Sequence, residues 1–110
     1  STSSVLFAST ASSGVEQVLH STLANTVCSI DYTIIATDAV GNNRQTSKLF
    51  ASVLGSEVGY YEYGSIDVPE LGPGVGDFIV KINAASVELL VTPYTSNLVT
   101  YKIMITSYKE

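Results

Sequence analysis

Apolar and polar residues alternate with a period of two along most of this chain. The clearest run is 28–37, where Cys28, Ile30, Tyr32, Ile34 and Ala36 share one face and Ser29, Asp31, Thr33 and Thr37 share the other. Successive side chains of a strand point to opposite sides, so this pattern predicts a strand with one apolar face. The same reading predicts strands at 5–9, 15–21, 44–54, 57–66, 77–83, 86–92 and 98–108. Their predicted inward rows include Leu49, Ala51 and Val53; Phe78, Val80 and Ile82; Val87, Leu89 and Val91; and Val99, Tyr101, Ile103 and Ile105. In 15–21 the alternation sets Val15, Gln17 and Leu19 against Glu16, Val18 and His20, which puts His20 on a polar face.

Turn residues punctuate these runs. Gly41, Asn42 and Asn43 can supply the positive φ of a hairpin, Gly55-Ser56 and Ala84-Ala85 are short connections, and 67–76 holds Pro69, Gly72, Pro73, Gly74 and Gly76. The hairpin 44–66 is the expected centre of the molecule. Phe50 and Leu54 interrupt its polar face, which predicts that this face is covered near its end. About eight strands at regular spacing, with no helical period, predict an all-β fold: one antiparallel β-sandwich domain over 1–110, jelly-roll or immunoglobulin-like in order. Residues 1–14 are a candidate N-terminal contact arm, with Val5, Leu6 and Phe7 as its apolar part; the plain alternative is a first strand paired into the sheet.

Composition narrows the function. Charged residues make up only 14% of the chain against 45% hydrophobic, and Ser and Thr replace much of the missing charge. Hydroxyls are less costly to desolvate than charges, which favours a chain packed against others. The net charge of −5, with five scattered basic residues, argues against nucleic-acid binding. No apolar run reaches the length of a membrane span. The single Cys28 has no internal disulfide partner and is expected as a small buried residue at a strand start, in a protein folded in a reducing cytosol.

Candidate chemistry is sparse. Five acids, Glu57, Glu62, Asp67, Glu70 and Asp77, crowd one stretch without a base, and their spacing matches no calcium loop. A carboxylate pair for glycoside cleavage would need two of them in one groove. His20 is the only histidine, so no catalytic triad or histidine-based metal site can be argued from spacing. No cofactor motif is present, and no enzyme activity is expected. Tyrosines 60, 61, 63, 94, 101 and 108 are read as ordinary strand residues or as a surface for sugars or partners; Tyr61, Tyr63 and Tyr94 are the candidates for the second role.

The runs Ile30-Asp31-Tyr32-Thr33-Ile34, Gln45-Thr46-Ser47-Lys48, Glu62-Tyr63-Gly64 and Leu89-Leu90-Val91-Thr92-Pro93 carry a resemblance. Together they resemble a small β-sandwich module of virion structural proteins of tailed bacteriophages, particularly phages of cyanobacteria and other marine bacteria. That resemblance implies a non-enzymatic virion protein, folded in the host cytoplasm and assembled on the particle, with no catalytic residues. Read as a stand-alone domain, the chain fits a capsid decoration (cement) protein bound to the major capsid protein and to copies of itself, as a trimer. The alternatives are a tail or fibre component, or an adhesion module that binds a host surface glycan.

Overall fold

Strict alternation makes residues 29–38 a strand that can serve the middle of a sheet, because Ile30, Tyr32, Ile34 and Ala36 are all fully buried. In the computed structural model, which describes residues 1–110, that strand is β3 (Ser29–Asp38). The others are β1 (Thr2–Thr10), β2 (Gln17–Leu23), β4 (Asn43–Leu54), β5 (Glu57–Val68), β6 (Gly76–Asn83), β7 (Ser86–Pro93) and β8 (Val99–Tyr108), with one 3₁₀ turn at Ala24–Thr26. They form a five-stranded sheet, β1-β8-β3-β4-β5, and a three-stranded sheet, β2-β7-β6. Every ladder is antiparallel.

The two sheets make the expected β-sandwich. The first strand pairs with the last and the second with the last but one, a nested winding of the jelly-roll kind, while β3-β4-β5 runs as a meander. The inward rows meet as predicted: Ile30, Tyr32, Ile34, Leu49, Ile103 and Ile105 face Phe78, Val80, Val87, Leu89 and Val91 in one core. Each such aliphatic side chain contributes roughly 1.5–3 kcal/mol by leaving water.

The centre lies elsewhere than expected. β3 holds the middle of the large sheet with β8 and β4 on either side, whereas β5, the second strand of the hairpin, is an edge strand exposed along most of its length. The reason lies in its inward row: Tyr60, Glu62, Ser65 and Asp67 cannot seal an apolar interior. Nor is the outer face of the hairpin covered. Phe50 is 44% and Leu54 83% exposed, because no layer packs on that side of the large sheet.

His20 also departs from its expected place. A β-bulge lies between Val18 and His20, which pair with the adjacent residues Leu90 and Leu89. The extra residue, Leu19, is buried, and the shift turns His20 inward as well, where its ring meets Tyr32 edge-on at 6.0 Å. Its Nδ1 and the Tyr32 hydroxyl are buried without a partner in the chain. Burial holds the imidazole below its usual 6.5. Below that pH the unfolded chain takes up a proton that folded His20 resists. Its contribution is therefore present above 6.5 and lost as pH falls through the lower folded value. The melting temperature should fall more steeply between about pH 7 and 5.5 in the wild type than in His20→Phe. Parallel slopes would assign the acid sensitivity to the carboxylates instead.

Some residues outside the predicted rows are also buried, Leu90 among them. Leu90 sits on the outer side of the small sheet, in register between Val18 and Ile79. The Lys81–Glu16 ion pair (3.0 Å) spans that side from β6 to the residue before β2.

Candidate functional site

Two surfaces stand out, and both follow from the edges of the large sheet. Its outer face is a grid that can be read across the ladders. One row is Phe7, Lys102, Ile35, Thr46 and Ile66; the next is Val5, Met104, Thr33, Lys48 and Gly64; a third is Ser3, Thr106, Asp31, Phe50 and Tyr61. Apolar side chains gather at the two borders, with polar and charged residues more frequent between them.

At the β5 border a second bulge, between Lys48 and Leu49 on the β4 side, makes Tyr63 the extra residue. Tyr63 lies across the outer face: its hydroxyl donates to Asp31 Oδ1 at 2.9 Å, and Lys48 Nζ stands 5.8 Å from its ring centre. The same ammonium donates to Thr33 Oγ1 at 3.0 Å. Tyr63 is thus held in place, while Tyr61 beside it is 73% exposed. Phe50, Tyr61, Tyr63 and Ile66 together form an apolar, solvent-open border.

Val5, Leu6 and Phe7 occupy the opposite border, four strand spacings or about 19 Å away. The stretch expected as a contact arm is laddered to β8 from Thr2 to Thr10. Leu6 packs toward the core, and Val5 and Phe7 point out. The six candidate interface residues therefore do not form one patch: Tyr61 and Tyr63 come together, Val5, Leu6 and Phe7 form a second group, and Tyr94 belongs to neither.

Tyr94 closes a polar cleft of about 230 Å³ where β5 and β6 meet at the side of the sandwich. Three of the five crowded acids, Glu62, Asp67 and Asp77, line it together with Gln45 and Ser65. The Tyr94 hydroxyl donates to Asp77 Oδ1. That bond, followed by partial burial and the nearby carboxylates, pushes the phenol up to about 12. Asp67 Oδ1 is shielded from solvent without a partner in the chain. No group of His, Cys, Asp and Glu side chains has the arrangement of a metal site. His20 lies on β2, at the other edge of the small sheet from β6, so it offers the cleft no base.

The cleft owes its shape to Gln45, which sequence reasoning passed over. Gln45 is in phase with Leu49, Ala51 and Val53 and is buried like them. Its Oε1 accepts from the backbone N–H of Val75 (2.6 Å) and Gly76 (3.1 Å), and its Nε2 donates to Gly76 O and Ser47 Oγ, both at 3.1 Å. One amide thereby ties the 69–75 loop and the start of β6 to β4. The available signal was a glutamine continuing an otherwise small and apolar inward row. Cys28 is half-buried beside the β3 start rather than sealed in the core.

No protein-family model matches the chain, and no curated protein matches its sequence. Among solved structures it is similar to the tailspike protein of Acinetobacter baumannii phage AM24, with a TM-score of 0.57 and 12% identity over 98% of this chain. It is also similar to the tailspike protein of Acinetobacter phage vB_ApiP_P1, with a TM-score of 0.56 and 15% identity over 96% of this chain. The chain spans 26% of the first tailspike and 21% of the second. At these identities the likeness establishes a shared fold: this β-sandwich is built like a portion of two phage tailspike chains.

Proposed function

We propose that the chain is a non-enzymatic structural module of a bacteriophage tail, a tail, spike or fibre component carried on the virion. The observation that carries this reading is the fold match to two phage tailspikes over nearly the whole of this chain. The surface supports it. A sandwich with an uncovered aromatic border and few charges is suited to packing against other chains. Capsid decoration, which the sequence resemblance implied, ranks behind the tail role because both fold matches are tail parts.

Gold-labelled antibody on intact particles tests the assignment. Label confined to the tail is the expected result. Label spread over the head would overturn the tail role in favour of decoration, and particles without label would remove the virion reading altogether.

A further inference from the structure

The large sheet has two open edges, and they differ. β5 carries Glu57, Glu62 and Asp67, is bent by the bulge at Tyr63, and is followed by Pro69. Charge, bulges and proline are the features that keep edge strands from pairing. β1 has none of them. Its nine residues, TSSVLFAST, include no charge and no proline. Its register with β8 runs unbroken from Thr2↔Ser107 to Thr10↔Val99. None of the backbone hydrogen bonds outside the ladders involves it, so the groups along its outer edge have no partner in the chain. Beside that edge Phe7 is 72% and Val5 53% exposed.

The strand is also nearly palindromic about Leu6. Reversing it sets Thr2 against Thr10, Ser3 against Ser9, Ser4 against Ala8 and Val5 against Phe7. A two-fold interface brings a surface against itself, so it needs this kind of self-complementarity. We propose that β1 pairs antiparallel with β1 of a second copy, about a two-fold axis through Leu6, joining two five-stranded sheets into one of ten. Phe7 of each copy then lies opposite Val5 of the other on the outer face, with Met104 continuing the apolar strip. The pairing brings no charged residue opposite another. The same pairing through β5 would gather the carboxylates of both strands along one ribbon. This inference does not depend on the tail assignment. It is a two-fold arrangement, where the sequence resemblance implied a trimer.

Light scattering on the 110-residue chain at tens of micromolar tests it, and the expected mass is twice 11.7 kDa. Val5→Lys alone, or Phe7→Glu alone, places a charge against an apolar partner and should return the mass to 11.7 kDa. Both side chains point to solvent within one copy, and circular dichroism checks that each variant still folds. The double variant sets each introduced lysine opposite an introduced glutamate of the other copy, so the doubled mass should return. A wild-type monomer, a trimer, or a dimer indifferent to both single substitutions would overturn the proposal. A double variant that stays monomeric would overturn the Leu6-centred register.

Discussion

Replacing Gln45 with leucine is expected to lower the unfolding free energy by about 3–5 kcal/mol. The side chain is 6% exposed and makes four hydrogen bonds, three of them to the backbone of Val75 and Gly76. Leucine fills much of the volume but leaves two buried N–H groups and a carbonyl without that partner, each costing roughly 1–3 kcal/mol. Water entering through the adjacent cleft offsets part of the sum. Against a typical total of about 5–15 kcal/mol, this is a large share. Gln45→Glu separates the components. It keeps both accepted bonds, loses both donated ones, and adds a charge to a cleft already lined by Glu62, Asp67 and Asp77. Its cost should shrink as the pH drops into the carboxylate range, whereas that of Gln45→Leu should not. Denaturant unfolding measures both. A loss below about 1 kcal/mol for the leucine variant would mean that the 69–75 loop is held by something other than this amide.

The second large effect is at Tyr101, where Tyr101→Ala should cost about 3–5 kcal/mol. The ring is 1% exposed, and it meets Phe78 of the facing sheet edge-on at 6.3 Å. Truncation therefore opens a void between the layers. Its hydroxyl also pairs with Thr10 Oγ1 at 2.8 Å, a buried bond that ties the end of β1 to β8. Tyr101→Phe removes only that bond and should cost about 1 kcal/mol. Equal losses for the two variants would mean that the hydroxyl, and with it the anchoring of β1, matters more than the packing. By contrast Phe7→Ala, at an exposed position of the same sheet, should stay within about 0.5 kcal/mol at monomer concentrations.

The strands and their inward rows were legible from the chain alone. Alternation is a local property: a residue's face follows from its position within its own strand, and Ile30, Tyr32, Ile34 and Leu49 fell where period two placed them. So did the all-β class, because strands with one wet face must stack in pairs. Pairing is not local. That β1 lies beside β8, and that the hairpin 44–66 ends at an edge rather than in the centre, depends on ladders between residues far apart in sequence. Bulges escape the pattern for a related reason. One extra residue, at Leu19 or Tyr63, shifts the register against a partner strand and redirects the side chains beyond it, and no residue type at those positions announces it. The polar cleft combines both effects. Glu62, Asp67 and Asp77 are spread over sixteen positions of sequence and meet only because the sandwich sets the inward side of β5 near the start of β6, with Gln45 holding the loop between them.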